Sequence, residues 1–356
     1  MNFLKIFLFL SIFFFSSNPI FCQANSFEFE YKDLKYQGAI ELPNQEVRGL
    51  IVLIPGHGPT DFIEGEEYKE LRSFFKESGF AVCFWDKAGC GKSEGTYDHN
   101  QSIESSVEEA QAALTKLKAL DVPGSTQMGL WGISRAGWIC PLIIEKEPSI
   151  AFWISVSGTD QFENSRYMLE ANLRVEGRSE AEIEVLMDEW DHYQKILVRG
   201  GESLDDFLKA IPKLMNDPYF NPNNFQFTEE IFTAIQDAYQ NNGGSYDDST
   251  NLAIMVNDFE YKLKRLDIPV LAVFGERDSQ VDWRKTQILY ERTIGSNSKA
   301  DLRIHTFPNA NHTLQSCESG GINENLEKFG YAVCEGYYDS IRMWLNKLPL
   351  SQNKRH

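Results

Sequence analysis

The chain has 356 residues, 42% of them hydrophobic, which suits one folded domain, or one domain with a large insertion, and not a disordered chain. Its 52 acidic residues outnumber its 34 lysines and arginines, so the formal net charge is −18. That charge argues against nucleic acid and anionic membrane surfaces as partners, because both are bound by clustered basic side chains.

The first 24 residues are typical of a secretory signal peptide. They carry one charge, Lys5, ahead of an apolar run over 6–15, and Cys22-Gln23-Ala24 resembles a cleavage site. The run is too short for a membrane anchor, and no later span is predicted. A lipid anchor at Cys22 is the alternative, although the bulky Phe21 before it fits that poorly. The segment predicts an exported protein, periplasmic or secreted.

Strand and helix patterns alternate after the signal segment. Two short alternating stretches within Ser26–Pro43 predict an antiparallel pair, and later apolar runs predict buried strands. These strands are predicted at 49–54, 80–85, 127–131, 150–157, 270–274 and 302–307, and helices at 67–79, 101–120, 135–146, 283–293 and 326–345. The alternation predicts an α/β fold with a mostly parallel central sheet flanked by helices.

The alternation stops near Gly158 and resumes at Ile268. Helices are predicted between these points at 180–198, 204–215, 228–239 and 251–263, with no strand. We interpret 159–265 as a helical cap inserted into a catalytic domain formed by 25–158 and 266–350, over the ligand-binding edge of the sheet. A separate helical domain is the alternative.

One serine has the surroundings of a nucleophile. Ser134 follows a predicted strand and opens a predicted helix, and small residues, Gly132 and Ala136, lie two positions away on either side. A sharp strand-to-helix turn needs small residues there and exposes the serine at the end of the sheet. The alternative is an ordinary helix N-cap serine.

An acid and a histidine follow in the order such a serine requires. Asp278 lies in the loop after the strand at 270–274, and His312 in the loop after the strand at 302–307. Ser134, Asp278 and His312 are therefore predicted at one edge of the sheet, as a catalytic triad. Asp282 is the reserve candidate for the acid, and Glu276 is the third choice.

Acyl transfer also needs donors for the developing oxyanion. The predicted donors are the backbone N–H of Arg135, next to the serine, and that of His57, in the glycine-rich loop Pro55–Asp61 (PGHGPTD). The His57 ring itself is given no role.

Five segments carry a resemblance to a known family. Pro55–Asp61 resembles a Gly-Ser-Gly-Pro-x-Asp oxyanion loop, and Trp85–Ser93 (WDKAGCGKS) an Asp-x-Arg-Gly-x-Gly-x-Ser turn. Gly137–Leu142 (GWICPL) matches a Gly-Trp-x-x-Pro-Leu segment after the nucleophile. Tyr261–Asp278 resembles the segment that leads to the catalytic acid, and Pro308–His312 (PNANH) resembles the loop that carries the catalytic histidine. Together they resemble the α/β-hydrolase superfamily and, within it, EstD-type serine esterases, which border on prolyl-oligopeptidase-like and serine-aminopeptidase-like hydrolases.

The chain departs from that pattern beside the nucleophile. Arg135 and Ala136 stand where Gln and Gly are more usual, and Ala88 takes a Gly- or Arg-like place. Ala136 should fit sterically. Arg135 puts a cation next to the serine, and its role is left open.

The cysteines and histidines predict no metal site and no cofactor. Their spacings match no zinc pattern. Five cysteines follow the signal segment, and Cys317 and Cys334, which flank one late loop, are the only pair expected to form a disulfide. Whether they do is left open.

Three functions are compatible with these residues. The favoured one is an exported serine hydrolase that cleaves a small-molecule carboxylic ester through an acyl-enzyme. The second is a serine peptidase or amidase acting on short peptides, and the third is a non-catalytic binding protein. Acyl and alcohol specificity and oligomeric state are left open.

Overall fold

The computed structural model of the chain describes residues 25–65, 68–241 and 245–350. The predicted signal peptide lies outside them. Within these ranges, no helix has both the length and the apolar character needed to cross a membrane.

The strands of the described residues are β1 Asn25–Tyr31, β2 Leu34–Glu41, β3 Gly49–Ile54, β4 Phe80–Trp85, β5 Met128–Ile133, β6 Ile150–Val156, β7 Ser245–Asp247, β8 Leu252–Ile254, β9 Pro269–Gly275 and β10 Asp301–Phe307. All but β7 and β8 form one eight-stranded sheet at the centre of the molecule, in the order β1-β2-β4-β3-β5-β6-β9-β10. β2 pairs antiparallel with both β1 and β4, and all later neighbours in the sheet are parallel. The predicted fold class is confirmed.

Helices cover both faces of this sheet. The helices of the described residues are α1 Lys69–Glu77, α2 Ile103–Ala119, α3 Ala136–Lys146, α4 Ser165–Val175, α5 Glu180–Arg199, α6 Leu204–Ala210, α7 Pro212–Asn216, α8 Glu229–Asn241, α9 Phe259–Lys264, α10 Trp283–Arg292 and α11 Tyr337–Leu345. Of these, α1, α2, α3, α10 and α11 pack against the sheet. Leu50 and Val52 of β3 pack in the core that includes α2, α3 and α10, while Ile51 and Leu53 pack in the core that includes α1 and α11. Burial on both faces explains why the strand reads as a continuous apolar run.

We call residues 159–265 the inserted segment. Its helices share a core of their own, which includes Leu173, Leu197, Phe207 and Leu214. The segment also contains the antiparallel pair β7–β8, which was not predicted.

Two of the helices predicted in the inserted segment are wrong in detail. The helix predicted at 204–215 is divided into α6 and α7, because Pro212 has no N–H to continue a helix and instead begins the second one. The helix predicted at 251–263 is β8 followed by α9. Asn251 and Asp258 have φ angles of 55° and 54°, and these left-handed residues interrupt a helix.

The last helix is also shorter than predicted. Residues 327–329 form a single 3₁₀ turn, and α11 begins only at Tyr337. Gly330 and Gly336, at φ 62° and 86°, end the first element and precede the second.

Candidate active site

Ser134 lies on a sharp turn between β5 and α3. Its φ angle is 56°, in the left-handed region that residues with a side chain rarely adopt, so the backbone there is strained. Two hydrogen bonds hold the turn: the Ser134 N–H donates to the Val156 carbonyl at 2.9 Å, and the Gly137 N–H donates to the Ser134 carbonyl at 2.7 Å. The turn leaves Ser134 partly exposed at the carboxyl end of β5.

Small residues make this turn possible. A Cβ atom at Gly132 would lie 2.7 Å from Cys140 Sγ and 2.8 Å from Ala136 Cβ, closer than real Cβ contacts. The methyl group of Ala136, which replaces the more usual glycine, therefore fits because position 132 has no side chain.

Asp278 and His312 meet beside this turn. His312 Nδ1 lies 2.8 Å from Asp278 Oδ2, and both side chains are buried, at 6% and 3% exposure. The other oxygen, Asp278 Oδ1, accepts the backbone N–H groups of Gln280 at 2.8 Å and Val281 at 2.9 Å. Asp278 is thus fixed as an acceptor facing the imidazole, which favours a proton on Nδ1 and leaves Nε2 as the basic nitrogen.

The two reserve acids point elsewhere. Asp282 precedes α10, and its carboxylate lies 3.5 Å from Lys285 Nζ. Glu276 accepts the Thr306 hydroxyl at 2.7 Å. Of the three predicted acids, Asp278 is the one that contacts His312.

Ser134 and His312 line the same cleft, whose volume is about 830 Å³. No hydrogen bond joins these two described side chains, an arrangement common in hydrolases without bound substrate. The other lining residues come from the loop after β3, the start of α1, the end of β5, the loops after β9 and β10, and the chain up to the start of α11. They are Pro55, Gly56, His57, Pro59, Thr60, Tyr68, Lys69, Glu70, Leu71, Ile133, Gln280, Thr313, Gln315, Tyr331, Val333 and Tyr338. None of these residues belongs to the inserted segment, which instead contacts the loop behind Asp278.

The two predicted oxyanion donors lie beside the nucleophile. Arg135 follows Ser134 directly, and a Cβ atom at Gly56, next to His57, would lie 3.2 Å from Ser134 Cβ. In the described part of the chain, the backbone N–H groups of His57 and Arg135 donate to no protein acceptor. Both remain available for a ligand oxygen.

The side chain of Arg135 is directed away from the cleft. Its guanidinium donates to the Ser106 hydroxyl and to the Gln101 carbonyl at the start of α2. Burial lowers its pKa, an effect opposed by Tyr97, Glu109 and Asp98. The sequence could not show this direction.

The ring of His57 faces a second histidine that the sequence analysis did not single out. His57 Nε2 lies 3.2 Å from His99 Nε2. Partial burial, together with the nearby His99, Arg135 and Lys87, lowers the pKa of His57 to about 4. The ring is therefore neutral at neutral pH, and the cleft gains no positive charge from it.

The disulfide expected between Cys317 and Cys334 is not formed in the structure, where both are free, buried thiols. The antiparallel bridge Gln315↔Val333 explains this result. Its register places Cys334 opposite Leu314, whose carbonyl accepts the Cys334 N–H, and not opposite Cys317. Burial raises the pKa of each thiol to about 11.

Comparisons with known proteins agree with this fold. Residues 45–179 match the family Hydrolase_4, described as "Serine aminopeptidase, S33". Over 195 residues the chain is 22% identical to the protein named Acyltransferase drtE of Aspergillus calidoustus. That match covers 51% of this chain and 62% of the relative, so the chain spans less than two thirds of that protein.

Solved structures extend the likeness over almost the whole chain. The esterase Pf2001 of Pyrococcus furiosus is 15% identical with a TM-score of 0.52, covering 92% of this chain and 94% of its own. The proline iminopeptidase of Mycobacterium smegmatis is 16% identical with a TM-score of 0.50, covering 91% and 98%. At these identities the matches show the fold alone.

The mostly parallel sheet, its flanking helices and the family match define an α/β-hydrolase fold. The family match is confined to residues 45–179, and the solved structures show the same fold over almost the whole chain.

Proposed function

We propose that the protein is a serine hydrolase that cleaves carboxylic esters through an acyl-enzyme. The observation that carries this proposal is the buried pair His312–Asp278, 2.8 Å apart, whose histidine lines the same cleft as the strained Ser134. A buried, oriented imidazole that shares a cleft with a partly exposed serine is an arrangement that can generate an alkoxide-like nucleophile at neutral pH.

The reaction proceeds in two halves. His312 Nε2 accepts the Ser134 hydroxyl proton while Oγ attacks the ester carbonyl, and the backbone N–H groups of His57 and Arg135 stabilise the resulting oxyanion. The tetrahedral intermediate collapses, the alcohol leaves with the proton from His312, and an acyl-Ser134 ester remains. Water, deprotonated by His312, then attacks this ester; His312 returns the proton to Ser134 Oγ as the acyl bond breaks, and the carboxylic acid is released.

The charge of the cleft favours an ester substrate over a peptide with a free N-terminal amine. An aminopeptidase needs carboxylates to hold that amine. Among the described residues that line the cleft, Glu70 is the one carboxylate, and it follows the cation Lys69. A peptidase or amidase remains the second candidate, because residues 45–179 match a family described as a serine aminopeptidase.

A fluorophosphonate probe and two substrates test the proposal. The probe should label the wild-type protein, Ser134→Ala should abolish the label, and Ser149→Ala, at the opposite edge of the sheet, should retain it. Turnover of a short acyl ester should fall by about 10³- to 10⁶-fold in Ser134→Ala. Labelling that persists in Ser134→Ala would exclude the assigned nucleophile. Faster cleavage of an aminoacyl amide than of the ester would favour the peptidase.

We also propose that the protein is exported, by cleavage after Ala24. The mature chain recovered from the periplasm or medium should begin at Asn25, as N-terminal sequencing can establish. A chain that retains residues 1–24 in the cytosol would contradict export, and a lipid on Cys22 would identify an anchored form instead.

A further inference from the structure

A buried lysine contacts the loop that carries one of the two candidate oxyanion donors. Lys87 follows β4 directly and is 9% exposed. Its ammonium donates to the carbonyl oxygens of Gly56 and Gly58, each at 2.7 Å. These two carbonyls flank His57 in the chain.

The geometry of a peptide unit relates this contact to the donor. The Gly56 carbonyl and the His57 N–H belong to one planar peptide group, and in a trans peptide they point in opposite directions. When Lys87 holds the carbonyl on one side of the loop, the His57 N–H must point to the other side. Position 56 also packs against the nucleophile, since a Cβ atom there would lie 3.2 Å from Ser134 Cβ.

The turn that carries Lys87 is itself bound to the same loop. The Lys87 N–H donates to the Thr60 carbonyl at 3.4 Å. Asp86 Oδ1 accepts the N–H groups of Phe62 and Ile63, at 2.8 Å and 3.1 Å. The ammonium is thus held at a fixed distance from the loop.

We propose that Lys87 is a positioning residue for the oxyanion hole. It fixes the Gly56–His57 peptide plane with the N–H towards the cleft, and its charge polarises that peptide so that the N–H is a stronger donor. The inference rests on the proposed serine hydrolase, because it concerns the donor of that same site. Lys87 itself does not touch the substrate.

A charge-removing substitution tests this role. Lys87→Met keeps an unbranched side chain, one atom shorter, and removes both donated hydrogen bonds, so that the peptide plane beside Gly56 loses this restraint. Losing one oxyanion donor costs about 10²- to 10³-fold in turnover. We expect kcat for a short acyl ester to fall about 10²-fold, with KM changed less than about threefold. Lys92→Met is the matched control, because Lys92 lies on the same turn, is exposed and pairs with Glu64.

A thionoester separates positioning from a general structural role. Its C=S sulfur is a weak hydrogen-bond acceptor, so an aligned oxyanion donor accelerates the oxygen ester far more than the thionoester. The oxygen-to-sulfur rate ratio should fall about tenfold or more in Lys87→Met and stay unchanged in Lys92→Met. Equal losses on both substrates, with the ratio unchanged, would overturn the proposal.

A second variant covers a failure of Lys87→Met to fold. Lys87→Gln retains N–H donors without the charge, and an intermediate rate ratio is expected; a wild-type ratio in folded Lys87→Gln would also overturn the proposal. The proposed function is tested separately, since its failure would appear as unlabelled wild-type protein or as turnover by Ser134→Ala. An inactive Ser134→Ala with an unaltered rate ratio in Lys87→Met would reject only the role of Lys87.

Discussion

The backbone at Ser134 is strained, and the absence of a side chain at Gly132 makes that strain possible. With φ at 56°, the turn brings Gly132, Ala136 and Cys140 so close that a single added methyl group would collide with two of them. Such strain persists only where the surrounding packing leaves the chain no alternative. The turn should therefore respond sharply to changes of one carbon atom.

Gly132→Ala should destabilise the protein by about 1–3 kcal/mol, the usual cost of overpacking a core. The double variant Gly132→Ala with Ala136→Gly should recover part of that loss, because it removes one of the two clashes. Urea denaturation of the wild type, both single variants and the double variant measures the coupling. Strict additivity would show that the clash with Ala136 is not the cause.

Asp160 is a buried carboxyl group that should make stability depend on pH. Burial, assisted by Asp282 and Glu163 and opposed by the Phe162 N–H and Lys285, raises its pKa from 3.8 to about 6. The folded state therefore binds the proton more tightly than the unfolded state does. The stability that this proton contributes is present below pH 3.8 and is lost as pH rises through about 6.

Asp160→Asn should remove this loss of stability at higher pH, because asparagine carries no ionisable group. Its amide oxygen can still accept the Phe162 N–H, which donates to Asp160 Oδ1 at 2.9 Å in the wild type. Relative to wild type, the variant should gain stability between pH 4 and pH 7, by up to about 3 kcal/mol from a shift of about two pKa units. Urea denaturation across that range measures it. Asp33→Asn, in the exposed β1–β2 turn, controls for net charge, and a gain that does not vary with pH would contradict the assignment.

At the scale of elements, helix α4 of the inserted segment holds the loop that carries Asp278. The Tyr167 hydroxyl donates to the Asp278 carbonyl at 2.9 Å, and Asn172 Nδ2 donates to the Ser279 carbonyl at 2.9 Å. The inserted segment thus reaches the site from behind the acid, although none of its described residues lines the cleft.

Tyr167→Phe should lower stability by about 1 kcal/mol and reduce kcat more than it changes KM, because the acid loop loses a support that the substrate does not touch. Tyr219→Phe is the matched control. The Tyr219 hydroxyl is buried in the same segment with no hydrogen-bond partner among the described residues, so its removal should be neutral or stabilising. Equal effects of the two variants would show that the Tyr167 contact contributes nothing specific.

The sequence was most informative about the central sheet. Strands buried on both faces, such as β3 and β4, appear as unbroken apolar runs between turn residues, and their helices are amphipathic. Because parallel strands end at one edge, the positions of Ser134, Asp278 and His312 after their strands were enough to predict a common location. Their catalytic roles remain predictions.

Contacts made by side chains over long distances could not be predicted in this way. Lys87 lies within a motif that the sequence analysis quoted, yet its contacts with Gly56 and Gly58 depend on how β4 pairs beside β3. The direction of Arg135 depends equally on where α2 begins. The pairing of Cys334 with Leu314, which keeps Cys334 away from Cys317, occurs in a loop whose sequence has no periodic pattern from which a register could be predicted.

At the scale of the whole molecule, charge is unevenly distributed. Residues 160–265 contain 21 acidic and 10 basic residues, a net charge of −11 out of −18 for the chain. The charges that line the cleft, Lys69 and Glu70, offset each other, and the Arg135 guanidinium is bonded at the start of α2. Since no strong local charge lines the cleft, the field of the surrounding protein should decide which substrates approach.

We therefore expect a neutral or cationic ester to be hydrolysed with a higher kcat/KM than an isosteric anionic ester. The preference should be about tenfold at low ionic strength and shrink as salt is added, because exposed charges are screened over about 8–10 Å near physiological ionic strength. Measuring kcat/KM for the matched pair at low and high salt tests this expectation, with the neutral ester as the control for effects of salt on the enzyme itself. Only the rate on the charged ester should change substantially, because screening acts on the approach and not on the chemistry. Faster hydrolysis of the anionic ester at low salt would mean that the cations beneath the cleft, Lys87 and Arg135, outweigh the acidic surface.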